Sequence, residues 1–224
     1  MRTSSYTGAI RVIRPGVLLI RHGQTTWNAA QRWQGWADVG LSDVGVRQAK
    51  AGAVALRRVL LGVPVQIVTS DLVRAHDTAV EIAGALGVSI ARIVEGLRER
   101  NVGDWSGKTT EEINQAWPGQ LDAWRNGELG STPNGEHEDV LVARTMGALR
   151  ALAMEARDLD HVVVAATHGG VLRTLTRACG ATPRPVGNLD GSWFGIDDDG
   201  VLVHHHDVHL LAGVGSGNAA GTAL

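Results

Sequence analysis

Apolar residues in this chain fall in short unbroken runs that alternate with stretches of helical periodicity. Val17-Leu18-Leu19-Ile20 is one such run, held between Pro15-Gly16 and Arg21-His22-Gly23, and predicts a buried strand. A polar, tryptophan-containing loop continues to about Leu41. Ser42 then stands as an N-cap, and Val46, Ala49, Ala53 and Leu56 at helical spacing predict a helix to about Leu61. Gly62 and Pro64 stop it, and Val65-Gln66-Ile67-Val68 predicts the next strand. Asp71 is expected to open a second helix through about Leu86, with a further strand over residues 91–94. Residues 109–158 read as mostly helical, interrupted by the Pro133-Asn134-Gly135 turn. A strongly apolar strand over 162–166 precedes a helix over 171–179. Two final strands, 193–196 and 201–204, bracket Asp197-Asp198-Asp199-Gly200 as a terminal hairpin.

Strands alternating with helices predict an α/β fold, a three-layer sandwich with a mostly parallel central sheet and helices on both faces. No internal repeat and no linker divides the chain. One domain over residues 1–212 is expected, with a helical cap inserted at about 100–140 and a Gly-, Ala- and Ser-rich tail, 213–224, that frays.

Charge changes the picture by what it removes. Lys and Arg total 21 against 23 Asp and Glu, a formal net charge of −2, so nothing general favours nucleic acid or an anionic membrane. Any anion this protein selects must be gripped by a local cluster. The single cysteine, Cys179, forms no internal disulfide and fits a reducing, cytoplasmic setting. Residues 1–15 carry no apolar core of a secretory signal, and no apolar run has the length to span a bilayer.

In open α/β sheets ligands bind beyond the carboxyl ends of the strands. Those ends carry Arg21, His22 and Gly23; Thr69, Ser70 and Asp71, with Arg74 one turn on; Arg98, Glu99 and Arg100; and Thr167, His168, Gly169 and Gly170. Two histidines, at least two arginines and a glutamate at one mouth suit phosphate. Guanidinium forks meet phosphoryl oxygens with charge-assisted hydrogen bonds, and helix N-termini after Gly23 and Gly169 add backbone donors. A neutral imidazole attacks phosphorus directly, neighbouring arginines keep it neutral, and a carboxyl facing a phosphate dianion is suited to protonate the leaving oxygen. Singly, each piece has a plainer reading: Arg74 as a solvated helix residue, Glu99 as part of a charged turn, His168 as a core histidine.

Leu19-Ile20-Arg21-His22-Gly23-Gln24-Thr25-Thr26-Trp27-Asn28 resembles the signature of the histidine phosphatase superfamily, whose fold is phosphoglycerate mutase-like. Trp33-Gln34-Gly35-Trp36-Ala37-Asp38, Leu41-Ser42, Gly45 and Gln48-Ala49 continue the pattern. So do Ser70-Asp71-Leu72-Val73-Arg74-Ala75, Leu97-Arg98-Glu99 with Gly103-Asp104-Trp105-Ser106-Gly107, and Ala166-Thr167-His168-Gly169-Gly170. The resemblance implies His22 as nucleophile and Glu99 as general acid and then base. Arg21, Arg74 and His168 would hold the phosphoryl oxygens. Asn28, Thr25, Gln34, Gly35 and the Gly169 backbone would add substrate contacts. No metal and no cofactor is implied.

Within that family, mutases carry an extra tyrosine and an arginine pair for a substrate carboxylate. Arg100-Asn101-Val102 holds no tyrosine, and residues 117–135 contain only Arg125. The Gly-Asp-Trp-Ser-Gly stretch and Pro133-Asn134-Gly135-Glu136 are closer to the phosphatase branch. The expected function is therefore hydrolysis of small-molecule phosphomonoesters, with sugar or glycerate phosphates as candidates, by a monomer or homodimer. Mutase action and non-catalytic binding of a phospho-ligand stay open as alternatives. His204-His205-His206 with His209 suggests a metal site only weakly, because a strand sends alternate residues to opposite faces. Trp27, Trp33, Trp36 and Trp105 either wall a leaving group or pack the cap.

Overall fold

β1 (Gly16–Arg21) and β4 (Val162–Thr167) are buried at every position, which is why both read as unbroken apolar runs. The computed structural model describes residues 15–212, so the expectations for 1–14 and for the tail 213–224 lie outside the described residues. With β2 (Val65–Thr69), β3 (Ile90–Ile93), β5 (Asp190–Ile196) and β6 (Leu202–His209) they form one sheet in the order β3-β2-β4-β1-β5-β6. The pairings from β3 through β1 are parallel; β5 and β6 add antiparallel. The expected mostly parallel sandwich is what forms.

Alternation along the strands sends side chains to two cores. Leu18, Ile20, Val162 and Val164 meet Ala53, Leu56 and Leu60 of α2 (Asp43–Leu60) and Ala75, Ala79 and Ile82 of α3 (Val73–Leu86). Val17, Leu19, Val163 and Ala165 meet Leu149, Leu152 and Ala156 of α6 (Glu138–Asp158) and Val171, Leu172 and Leu175 of α7 (Gly169–Ala178). A third cluster lies outside these layers: Trp33, Val102, Trp105, Ile113 and Leu121, with Trp117 and Trp124 against it. It is built on the short helices α4 (Thr110–Ala116) and α5 (Gln120–Arg125), within the segment expected to form a cap. A four-residue helix, α1 (Thr26–Ala29), interrupts the loop after β1.

Several local expectations are corrected. Ser42 does cap α2, accepting from the Gly45 amide at 3.1 Å. Asp71 does not open α3, which starts at Val73 with Asp38 Oδ1 accepting the Val73 amide at 2.8 Å. Asp71 is instead committed to a two-pronged ion pair with Arg98, stronger than the cap bond it would otherwise make. The helical stretch expected over 109–158 is broken more widely than one turn, between α5 and α6, where Gly127, Pro133 and Gly135 cannot extend a helix. β5 and β6 are longer than expected, because β5 is held on both sides, by β1 and by β6.

The histidines of β6 are split by a bulge. His204 packs on Phe194 and His206 on Trp193, which are adjacent in β5 and face opposite sides. His204 and His209 are taken up by Asp207 and Asp190, at 3.0 and 2.9 Å. Among the described residues no group of three or more His, Cys, Asp or Glu is arranged to hold a metal ion.

Candidate active site

Strand register assembles the site. Arg21 is the partner of Thr167 across β1 and β4, and Thr69 of β2 is the partner of Ala166. The next residues, His22, His168 and Ser70, therefore leave the sheet together at one edge. The two imidazoles meet edge to face with centroids 5.3 Å apart, and His168 Nε2 lies 2.9 Å from the Ser70 hydroxyl. The loop below is locked by residues of the sequence pattern: Gln48 Oε1 accepts from the Gln24 amide at 2.9 Å and Ser42 Oγ donates to Gln24 Oε1 at 3.0 Å.

His22 is 3% exposed, and its Nδ1 faces the Gly23 carbonyl at 2.7 Å. A proton on Nδ1 satisfies that carbonyl and leaves a lone pair on Nε2, toward which Arg74 Nε donates at 3.2 Å. The same guanidinium donates to the carbonyls of Ala37 and Gly35 at 2.8 Å each. Gly35 has a φ of +52°, a conformation that suits glycine and turns its carbonyl to Arg74. Burial first, then the charges of Arg74 and Arg21, hold the His22 pKa well below its ordinary value. Burial and then Arg74 do the same to His168. Both rings are neutral at pH 7. Arg21 and Arg74 are lowered mainly by burial to about 10 and stay charged.

Glu99 reaches the site from the other side. Its Oε2 accepts the Gly170 amide at the start of α7 at 3.0 Å, and its Oε1 the Arg100 amide at 2.8 Å. A Cβ on Gly170 would fall 2.2 Å from Glu99 Oε1, so only glycine lets the carboxylate settle there. Its loop hangs from one guanidinium: Arg144 donates to the carbonyls of Gly96, Arg98 and Glu99 at 3.1, 2.6 and 2.9 Å. Glu136, nearly buried, fixes that guanidinium with bonds of 2.6 and 2.8 Å.

The cleft between these groups holds about 80 Å3 and is lined by Arg21, His22, Asn28, Gln34, Gly35, Arg74, Glu99 and Gly169 among the expected residues. Glu99 is the one carboxylate in that lining. Arg21 Nε, His168 Nδ1 and Gln34 Oε1 are buried without a hydrogen-bond partner among the described residues, two of them nitrogens suited to an anion. Thr25 does not reach the cleft. It is fully buried, and its hydroxyl accepts the Asn28 amide at 3.0 Å as the cap of α1, while Asn28 Oδ1 accepts the Thr25 amide in return. The tryptophans divide. Trp105 is buried in the third cluster, Trp33 both packs there and lines the cleft, and Trp36 donates to the Glu99 carbonyl at 2.6 Å.

Sequence reasoning missed Arg32, Val102, Trp124 and Arg173 in the lining, and left Arg100 at its strand end without a role. Arg32 pairs with Glu112, and Arg100 with Glu138 while lying over the Trp124 ring. Asn188 was missed too; it donates to the His22 carbonyl at 2.9 Å.

Residues 17–203 match the family model described as histidine phosphatase superfamily (branch 1). A glucosyl-3-phosphoglycerate phosphatase of Mycolicibacterium vanbaalenii is 38% identical over 167 residues, 72% of this chain and 72% of its own length. A metal-independent phosphoserine phosphatase of Arabidopsis thaliana is 38% identical over 161 residues, 71% of this chain and 66% of its own. A solved structure of mycobacterial glucosyl-3-phosphoglycerate phosphatase with VO3 superposes with a TM-score of 0.73 at 32% identity, covering 86% of this chain and 98% of that one.

Proposed function

Since this chain belongs to the histidine phosphatase superfamily, branch 1, and is a phosphatase acting on small-molecule phosphate monoesters, we propose that it carries the phosphoryl group on Nε2 of His22. One observation carries this reading: a buried, neutral imidazole whose Nδ1 is engaged by the Gly23 carbonyl and whose Nε2 lone pair meets Arg74 at the cleft.

In the first step the Nε2 lone pair attacks phosphorus, the bond from phosphorus to the ester oxygen breaks, and Glu99 gives that oxygen its proton. Arg21, Arg74 and His168 take the charge that develops on the other phosphoryl oxygens, and Asn28, Gln34, Gly35 and Gly169 fix its pose. In the second step Glu99 removes a proton from water, the oxygen attacks phosphorus, and the N–P bond breaks. The products are the alcohol and inorganic phosphate, with His22 and Glu99 restored. The scheme calls for no metal ion and no cofactor. Sugar and glycerate phosphates are the substrates we favour within the class. Residues 15–212 act as one domain in this reading, with the 100–140 segment as a cap over the cleft. We assign the enzyme to the cytoplasm, where its single cysteine, Cys179, makes no demand for oxidation, as a monomer or homodimer.

The test is phosphate release from p-nitrophenyl phosphate with EDTA present, comparing wild type with His22→Ala and checking fold by circular dichroism. Loss of release in the folded variant, with no effect of EDTA on wild type, is expected. Equal release by both proteins would remove His22 as the nucleophile. Transfer of phosphate to a second substrate molecule, with none set free, would replace hydrolysis by mutase action.

A further inference from the structure

The peptide unit that joins His22 to Gly23 is held at both polar ends by side chains from distant parts of the chain. Its carbonyl oxygen, on His22, accepts from Asn188 Nδ2 at 2.9 Å, and its N–H, on Gly23, donates to Thr78 Oγ1 at 3.0 Å. Neither side chain lines the cleft. Thr78 is fully buried on α3, one turn beyond Arg74. Its hydroxyl donates to the Arg74 carbonyl at 2.8 Å, which leaves the oxygen free to accept from Gly23. The next peptide is held as well. Its N–H, on Gln24, donates to Gln48 Oε1, and its carbonyl, on Gly23, faces His22 Nδ1 at 2.7 Å.

Gly23 is the joint between these two planes. A Cβ there would fall 2.6 Å from the Gly45 carbonyl oxygen, so α2 admits only glycine, whose dihedral angles are set by what holds its neighbours. If the plane between His22 and Gly23 turns, the Gly23 carbonyl swings away from Nδ1. That contact decides which ring nitrogen carries the proton, and hence which lone pair faces the cleft. The turn that carries Asn188 is itself tied down. Leu189, fully buried, takes a φ of +60°, which a residue with a Cβ rarely adopts, and its N–H donates to the Arg21 carbonyl at 3.1 Å. Asp190 Oδ2 accepts the Gly187 N–H at 2.7 Å. Backbone strain of this kind persists where the surroundings enforce it, and it collects at functional sites.

We propose that Thr78 and Asn188 are positioning residues for His22: together they fix the peptide between His22 and Gly23, so that the ring keeps its proton on Nδ1 and offers Nε2 to phosphorus. This rests on the phosphohistidine reading above and adds what selects the attacking atom. Arg74 Nε, pointing at Nε2, favours the same tautomer from the cleft side, so loss of the clamp shifts the tautomer balance without reversing it.

The tautomer is read in the resting enzyme at neutral pH from long-range proton–nitrogen NMR spectra of protein labelled at histidine nitrogen, with His22→Gln identifying the His22 signals. Wild type is expected to show Nδ1 protonated and Nε2 bare. Asn188→Ala, at a half-buried position, and Thr78→Val, which keeps the shape and loses the hydroxyl, are each expected to raise the share protonated on Nε2. Thr78→Ser is expected to restore the wild-type pattern. kcat should fall about tenfold in Asn188→Ala and Thr78→Val at nearly constant KM, since the attacking nitrogen is displaced while the phosphoryl grip stays. The loss should be equal for an alkyl phosphate and p-nitrophenyl phosphate, because the acid is untouched. Unchanged tautomer signals in both variants, a wild-type ring protonated on Nε2, or a rate loss confined to the alkyl ester overturns the proposal. Quenching in alkaline denaturant, in which phosphohistidine survives, separates the two ideas. Label on His22 with unmoved tautomers removes this proposal alone. Turnover by wild type without label on His22 removes the mechanism beneath it, and the tautomer signals still decide the clamp.

Discussion

Nε of Arg74 points at Nε2 of His22 from 3.2 Å, so a fixed positive charge stands at the lone pair of the proposed nucleophile. That contact adds to burial in holding the imidazole neutral and keeps a donor beside the atom where phosphorus would arrive. Arg74→Gln removes the charge and keeps a polar side chain. The His22 pKa is expected to rise toward its ordinary value while staying below it, because burial, the larger cause, persists. Titration of the imidazole signals by NMR checks this, and an unmoved pKa would show that the charge of Arg74 does not act on the ring. kcat is expected to fall by about 10²–10³, the usual loss for a donor to a developing anion.

Two buried neutral histidines make stability depend on pH with a definite sign. Unfolded, each takes up a proton as pH falls below about 6.5; folded, His22 and His168 resist it. Their contribution is therefore complete above pH 6.5 and is lost on acidification toward their lower folded values. Each is expected to add a slope of up to about 1.4 kcal/mol per pH unit in that window. Urea midpoints at pH 7.5, 6.5 and 5.5 should show a shallower slope for His168→Asn than for wild type. Equal slopes would mean that His168 titrates normally in the fold.

Arg144 does not line the cleft itself, yet the carbonyls of Gly96, Arg98 and Glu99 hang from it. Arg144→Met should loosen the acid without touching the phosphoryl grip. The expected signature is selective: kcat/KM for an alkyl phosphate, whose leaving group needs a proton, falls at least about tenfold more than for p-nitrophenyl phosphate. Equal losses on both esters would reduce Arg144 to a general structural part. Added guanidinium ion should recover part of the alkyl rate in Arg144→Ala.

Trp105 is fully buried at the centre of the cap cluster, with Trp33 and Trp124 edge-on at 5.3 and 5.9 Å. Trp105→Ala is expected to cost about 3–5 kcal/mol. Because Trp33 and Trp124 line the cleft, KM should rise as the melting temperature drops, measured by calorimetry and initial rates on the same preparation. A lost melting transition with an unchanged KM would detach the cap from substrate binding.

Much of this site was legible because its residues sit at the ends of strands buried on both faces. Such strands announce themselves as unbroken apolar runs: Arg21 closes β1, His22 follows it, and His168 follows β4. What stayed hidden has no local signal. Asp71 looks like a helix cap until Arg98, 27 residues on, claims it. Thr25 looks like a ligand for substrate, but its hydroxyl is used up capping a four-residue helix. Arg173 sits on a helix whose spacing says only that it lies on the α7 face; which cations find partners is settled by the cap and by α6, far away in sequence.

β1 has its neighbours, β4 and β5, only in the last third of the described chain, and Arg21 meets Thr167 across 146 intervening steps of sequence. During synthesis at about 5–20 residues per second, this wholly buried strand waits roughly 7–30 s before a pairing partner exists. Closure of so long a loop makes this a slow, high-contact-order step. Since that pairing also sets His22 beside His168, the proposed site is assembled only once β4 is in place, and any chain that stops short of β4 leaves β1 exposed to self-association.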